Sequence, residues 1–409
     1  MKTLKIVLLL CGLLAGVFFV YAVFNFRNAS SKQKTLADGW RQMTGMSPEE
    51  LVAVYPKTEK NESARELERL AAKLEIGETD DSEGAQLARD YFIERGTDAS
   101  DQAEELPEYI KRYLAIHQND FDSLYSFVRQ NNRPEWATDA SQGARMPWPN
   151  LSFHIRLHQI IALDVLSRTE QNQNRQALEA FEASRKASEF FHKRPEAFSH
   201  MINLLVSSTQ NYALRKMNDV PADWRTRLTT GDYRRLAAKV LEHEYAAVYL
   251  SADSENPPTL RNFTDKLFPF SRFNAALDTS EAMRETVAEL ERRDFCSLSN
   301  LNGEAKLAWW NANGRIVFPA ALQIWRNFAE MSYDAELTER VLRLREFRHA
   351  SPQSDLPPEL SRMKSALCDG ADWTVEKQPD GSFVIRFSRT ADLIKDERTP
   401  LSYTLRARK

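Results

Sequence analysis

The sequence predicts a mainly α-helical protein: an N-terminal transmembrane helix, an irregular antiparallel helical array and a small C-terminal antiparallel β-meander. Three observations predict it. Residues 6–24 read IVLLLCGLLAGVFFVYAVF, without a charge; about 20 apolar residues span a hydrocarbon core as a helix, because only a helix satisfies its own backbone in lipid. Glycine is scarce, at 13 residues in a chain of 409 rich in Leu, Ala, Glu and Arg, and that composition favours helix. Near the C-terminus the apolar pattern changes from helical spacing to strict alternation, the pattern of half-buried strands.

The chain divides into an anchor (1–27), a stalk with N-terminal helices and an irregular linker (28–149), a central helical array (150–300), and C-terminal helices with a three-stranded β element (301–409). The anchor competes with a cleaved signal peptide. The apolar run is longer than a signal h-region and ends in Val20, Tyr21, Ala22, Val23 and Phe24, with no small-residue cleavage pattern after it. Cys11 lies inside the run without the small residues that a lipobox needs, and reads as a buried apolar thiol. Lys2 and Lys5 argue for the N-terminus inside, whereas Arg27, Lys32 and Lys34 argue the other way. Long C-terminal domains are exported largely regardless of flanking charge. The expectation is therefore a single-pass inner-membrane protein with its bulk extracytoplasmic.

At 42% hydrophobic and 28% charged residues, the remainder suffices for a sizeable core. A formal charge of -3 gives no support for nucleic-acid binding. With Cys11 in the anchor, Cys296 and Cys368 remain. In an oxidising compartment they are a disulfide candidate; two free buried thiols are the other reading. Sequons at Asn28, Asn61, Asn150 and Asn262 matter only in a eukaryotic secretory pathway.

Taken in order, residues 25–45 predict a polar helical stalk. Ser47-Pro48-Glu49-Glu50 is a helix start, with Ser47 as N-cap, Pro48 at the first helical position and Glu50 closing a capping box. Asn61 to Leu74 carries a helical stripe of Leu67, Leu70, Ala71 and Leu74. Ser82 to Arg95 is a further helix, stopped by Gly96. Pro107 to Val128 holds one or two more. Residues 131–149 break the pattern with Pro134, Trp136, Gly143, Pro147, Trp148 and Pro149. Asn150 to Ser167, Arg175 to Phe191 and Pro195 to Met217 are long helices with short connections, which favours antiparallel neighbours. No fixed period returns, so this is not a repeat protein. Asp232 to Leu250 and Thr279 to Arg292 are further helices, separated by Asn256-Pro257-Pro258 and a Phe-rich stretch from Phe263 to Phe273. Ile316 to Phe328 and Leu337 to His349 predict two more. Trp373 to Lys377 and Phe383 to Phe387 alternate around Pro379-Asp380-Gly381, a hairpin signal, and Leu401 to Leu405 adds a third strand.

Candidate chemistry is sparse. His154 and His158 are four apart on one helix face, a spacing that can hold a metal; a zinc site needs a third ligand, and the nearest carboxylate on that helix is Asp164. Packed histidines are the plainer reading. Glu242-His243-Glu244 resembles an acid–base cluster, but consecutive helical residues point in different directions. No GxSxG, P-loop, GxGxxG or other cofactor motif is present. Trp136, Trp148, Trp309 and Trp310 could line a groove, although packing explains them as well. Arg340, Arg343, Arg345 and Arg348 could receive an anionic partner, or form a solvated helix face.

Three stretches carry a resemblance: LHQIIALDVL (157–166) with the alanine-rich helix after it, LFPFSRFNAALD (267–278), and CDGADWTVEKQPDGSFVIRF (368–387). Through them the chain resembles a family of bacterial proteins with one N-terminal membrane helix, a long helical body and a small C-terminal β element, for which no activity is assigned. The resemblance implies the architecture and nothing about chemistry. The functional expectation is a membrane-tethered envelope protein that binds a protein partner, as a scaffold or accessory subunit. The alternative is an extracytoplasmic hydrolase with a dispersed, metal-assisted site that uses His154 and His158. A small-molecule sensor built on the tryptophan-rich segments is a third option.

Overall fold

The computed structural model describes residues 31–406, apart from short breaks at 56, 78–81, 97, 102–104, 131–132, 140–141, 143–145, 230 and 352–353 and longer ones at 252–268, 297–311 and 390–398. The chain is mainly helical, with a small antiparallel sheet at its C-terminal end. Among the described residues, no helix is long and apolar enough to cross a membrane. The expected span, 6–24, lies outside them, as do the side chains of the Phe-rich stretch and of Trp309 and Trp310.

The first described helix, α1, covers 31–44. It is no free stalk: Trp40 is fully buried, and its indole Nε1 donates to Ser280 Oγ at 3.2 Å. α2 (Pro48–Ala53) opens on the expected capping box, in which Glu50 N donates to Ser47 Oγ at 3.2 Å and Ser47 N donates to Glu50 Oε2 at 2.7 Å. α3 (Glu62–Lys73) is capped by Asn61, and α4 (Glu83–Arg95) follows. Gly84 permits a close approach: a Cβ there would lie 2.5 Å from both Leu74 O and the Tyr113 hydroxyl. The segment 107–128 resolves into two helices, α5 (Glu108–Ile116) and α6 (Gln118–Arg129), hinged at His117.

The central array consists of α7 (Leu151–Glu170), α8 (Asn174–Ala187), the short α9 (Glu189–Lys193), α10 (Ala197–Lys216), α11 (Ala222–Thr229), α12 (Tyr233–Ser251) and α13 (Pro269–Leu290). The expected helix from Arg175 to Phe191 is thus two, and the one from Thr279 begins ten residues earlier, at Pro269. α10 is the hub, packing on α7, α8, α9, α12 and the next helix. That helix, α14 (Ala312–Ala350), merges the two expected over 316–349 into one of 39 residues.

A short α15 (Pro358–Ser361) leads into four strands rather than three: β1 (Arg362–Lys364), β2 (Asp372–Lys377), β3 (Phe383–Phe387) and β4 (Ser402–Leu405), paired antiparallel in sequence order. β1 has only three residues, too few for alternation to show in sequence. Gly381 takes φ +80° in the hairpin turn, which glycine adopts without a Cβ clash. The outer edge of β4 is covered by the loop after α4: Thr404 N donates to Ala99 O at 2.7 Å and Asp101 N to Thr404 O at 3.1 Å. An edge strand closed in this way offers no free ladder to another chain.

Among the described residues, two large hydrophobic clusters, with two small ones beside them, hold the body together. One takes residues from Ala64 to Trp224, on both sides of 149/150, together with Leu342. The other joins Trp40, α12, α13, α14 and the sheet. α14 is the spine between them, and its arginines act as clamps. Arg340 donates to Lys364 O at 2.9 Å, Arg345 to Met217 O at 2.8 Å and also to Arg215 O, and Arg348 to Arg406 O. Three of the four arginines in the run therefore bind main-chain carbonyls of three different segments.

Candidate functional site

α7 begins where Asn150 Oδ1 accepts the Phe153 amide at 3.0 Å, which sets the helix register and puts His154 and His158 on one face. Both side chains are buried, but they serve different surroundings. His154 sits among aromatic rings, with centroids 4.4 Å from Trp136, 4.5 Å from Phe191 and 5.0 Å from Phe153. Neither of its ring nitrogens has a hydrogen-bond partner, and burial holds its pKa well below the usual imidazole value. His158 Nδ1 is hydrogen-bonded to Ser184 Oγ at 2.8 Å, and burial, with the nearby Arg185 charge, lowers its pKa to about 3. Among the described residues, no group of three His, Cys, Asp or Glu side chains could hold a metal ion. Asp164 is already engaged by the Tyr125 hydroxyl at 2.8 Å and by Arg168 Nε at 2.7 Å. The two histidines therefore find no third ligand there.

The structure instead builds a polar seam between α8/α9 and α10. Ser184, Ser188 and His192 recur every four residues along one line and face Asn203, Ser207 and Gln210 of α10. Gln210 Nε2 donates to Ser184 Oγ at 2.9 Å and to Ser188 Oγ at 3.4 Å, while Gln210 Oε1 accepts from Arg185 Nη1 at 3.4 Å. Asn203 Nδ2 pairs with His192 Nδ1 at 3.1 Å, and Ser207 Oγ donates to Asn203 Oδ1 at 3.3 Å. Burial first, then Arg185, lowers His192 to about 3; burial lowers His200, whose ring lies 5.1 Å from Phe328, to about 4.

A second polar cluster lies where α12 meets the start of α10. Arg194 and Glu196 form a buried ion pair, and Ser199 Oγ donates to Glu196 at 3.3 Å. Within the triplet 242–244, each residue has its own environment. Glu244 accepts the Ala197 amide at 2.8 Å and so caps α10 from outside. His243 packs edge-on against Tyr55 with centroids 5.7 Å apart, lowered to about 4 by burial. Glu242 is raised to about 7 by burial and by the neighbouring Glu291. The triplet does not converge.

The Ser184–His158 contact is a hydroxyl–imidazole pair, but both residues are buried and His158 Nε2 has no partner. A nucleophilic serine needs access, and a base oriented from its far nitrogen; this pair has neither. The seam offers hydroxyls, amides, neutral imidazoles and one guanidinium, a set suited to binding. An open cleft of about 950 Å³ lies elsewhere, at the ends of α10 and α14, where it is lined by Asn218, Asp219, Arg345, Glu346 and His349. Trp136 is a packing residue, stacked on Phe191 at 5.6 Å with its Nε1 donating to Glu68 at 3.0 Å. Trp148 is partly exposed against Phe198 at 4.7 Å.

Cys296 and Cys368 come together as a disulfide, with Cα atoms 5.3 Å apart, and tie the segment after α13 to the loop before β2. Sequence reasoning missed Ser184, Arg185, His192, Asn203 and Gln210. The available signal was the recurrence of small polar residues on the alanine-rich stripe of α8, opposite polar residues of α10. No protein-family model, curated protein or solved structure matches the chain.

Proposed function

We propose that this chain is a membrane-tethered envelope protein whose body binds a protein partner on the extracytoplasmic side of the inner membrane, as a scaffold or accessory subunit. The observation that carries the reading is the docking of α1. The apolar run ends at Phe24, and seven residues later α1 is already fastened to the body. Lys32 pairs with Asp278 and with Glu281, the latter at 2.9 Å, and Leu36 and Trp40 are buried. A body attached this closely is held at one height and in one orientation above a bilayer, which suits presentation of a fixed surface to a neighbour. The Cys296–Cys368 disulfide supports an oxidising compartment, since such bonds persist there and are reduced in the cytosol. The separately packed His154 and His158 favour binding over metal-assisted hydrolysis.

The test uses the full chain in bacterial membranes. It is expected to remain in the pellet after carbonate washing, to dissolve in detergent, and to be degraded by protease added to spheroplasts. Crosslinking in intact cells is expected to trap one reproducible partner. Extraction by carbonate would remove the tether, protection from external protease would reverse the orientation, and the absence of any reproducible crosslink would count against the scaffold role.

A further inference from the structure

The open cleft of about 950 Å³ lies where several helices stop. α7 ends at Glu170, α10 at Lys216 and α14 at Ala350, whereas α8 begins at Asn174. The last turn of a helix leaves carbonyls without intrahelical donors, and the first turn leaves amides without acceptors. Three ends against one beginning leave more spare carbonyls than amides at this place. Some are already taken: Asn218 Nδ2 donates to Thr169 O at 3.3 Å, and Arg345 donates to Met217 O at 2.8 Å and to Arg215 O.

Two of the charged groups in the lining are already paired. Glu346 accepts Arg225 Nη1 at 2.7 Å, and Arg345, besides its carbonyls, faces Asp101 at 3.7 Å. Other polar groups are uncommitted. Among the described residues, the side chains of Asn172, Asn174, Asp219 and His349 have no hydrogen-bond or ion-pair partner, and all four line the cleft. Asn172 is accounted for by its φ of +57°, a conformation that asparagine tolerates. Asn174, Asp219 and His349 are free to meet a ligand. Met217, Val220 and Leu342 supply the apolar part of the lining, and Met217 and Leu342 are buried.

We propose that this cleft binds a short, uncharged glycan. A glycan is rich in hydroxyl donors, which suits a lining whose spare groups are carbonyls, the Asp219 carboxylate and the Asn174 amide oxygen. Two neighbouring hydroxyls can donate to the two oxygens of Asp219, the bidentate arrangement that a carboxylate accepts. The C–H faces of the sugar rings suit Met217, Val220 and Leu342, and the volume is within the range of small-molecule sites. A polyanion is opposed, because Asp219 is unpaired while the charge of Arg345 is committed. A polyamine finds one unpaired carboxylate, since Arg225 holds Glu346. An extended peptide brings as many acceptors as donors and leaves the excess of carbonyls unmet. The site depends neither on the tether nor on a protein partner.

The experiment is isothermal titration calorimetry of the purified full-length protein, in a detergent without a sugar head group. The probes are maltotetraose, cellotetraose and tetra-N-acetylchitotetraose, with spermidine and inorganic triphosphate as charged probes. The expected result is saturable binding of at least one of the glycans, with a Kd in the millimolar range or tighter, and weaker or no binding of the charged probes. Asp219→Ala is expected to weaken glycan binding by about tenfold, the value of one charge-assisted hydrogen bond, and Asn174→Ala to weaken it less. Glu359→Gln, at an exposed position on α15, is expected to leave it unchanged. Asp219 is exposed and makes no contact that its removal would break, so Asp219→Ala carries the comparison if Asn174→Ala does not fold. No saturable binding of any of the three glycans, undiminished binding by Asp219→Ala, an equal loss in Glu359→Gln, or tighter binding of spermidine or triphosphate would overturn the proposal.

Discussion

Trp373 and Glu336 are joined by a buried 2.7 Å hydrogen bond from the indole Nε1 to Oε2, which fixes the sheet to the spine helix α14. The same carboxylate accepts Ser365 Oγ at 2.7 Å and the amides of Ala366 and Leu367 at 2.7 and 3.2 Å. One side chain thus satisfies four donors around the turn before β2. Glu336→Ala leaves the Trp373 indole, the Ser365 hydroxyl and the Ala366 amide without this acceptor, while the Leu367 amide keeps Ser365 Oγ at 3.0 Å, and is expected to destabilise the fold by about 3 kcal/mol, since each orphaned buried donor costs about 1–3 kcal/mol. Urea unfolding followed by tryptophan fluorescence measures this; a loss below about 0.5 kcal/mol would show that the turn does not depend on Glu336.

Arg215 and Asp334 form a buried ion pair between α10 and α14. Asn211 donates to Asp334 at 2.7 Å, and Arg215 to Thr338 Oγ1 at 2.8 Å. Removing one charge strands the other, so Asp334→Ala is expected to cost about 3–5 kcal/mol, while replacing both partners with apolar residues of similar volume recovers much of the loss. The measurement is a double-mutant cycle by chemical denaturation; near-additive losses would contradict the pairing.

The clamp arginines predict a contrast within one helix. Arg345→Ala releases carbonyls at the end of α10 and is expected to cost about 1.5–3 kcal/mol. Arg343→Ala, for which no such clamp is seen among the described residues, is expected to stay within about 0.5 kcal/mol. Comparable urea midpoints for the two variants would show that the run is a solvated face after all.

Burial lowers the pKa values of His154, His158, His192, His200 and His243 in the folded state. Unfolding then takes up protons below the ordinary imidazole pKa. Stability is retained above about pH 6.5 and falls as pH drops towards about 4, by up to about 1.4 kcal/mol per unit for each imidazole. Glu242, raised to about 7, works in the opposite sense: its contribution is complete below the ordinary carboxylate pKa and is lost as pH rises through 7. Burial also raises Asp164 and Glu244, and the five imidazoles outweigh these three carboxyls, so urea midpoints should fall below pH 6.5. Unchanged midpoints between about pH 7.5 and 5 would rule this out.

Cys296 and Cys368 enclose a span of 72 residues. A loop of that length corresponds to about 4 kcal/mol in the chain-entropy account. Mass spectrometry of the native protein without reductant should find the cross-linked peptide pair, and reduction should lower the unfolding midpoint. Alkylation of both thiols in the unreduced native protein would remove the bond from the fold.

Much of the architecture was determined locally, and so was legible in the sequence. Ser47 with Glu50, Asn61, and Asn150 mark helix starts through side chains that accept backbone amides two or three residues on. The Pro379-Asp380-Gly381 turn sets the hairpin, because Gly381 accepts a positive φ. Alternation in 373–387 fixed the facing of Trp373, Val375, Phe383, Ile385 and Phe387 into the core. Polar residues misled wherever their partners lie far along the chain. Glu330, Asp334 and Glu336 interrupt the apolar pattern between the two helices expected over 316–349, yet all three are buried. Asp334 is held from α10, and Glu336 from the turn before β2. The seam at His158, Ser184, Arg185 and Gln210 was hidden for the same reason. Helical spacing places each residue on its own helix, but only the packing of α8 against α7 and α10 decides which polar groups meet and which are neutralised by burial.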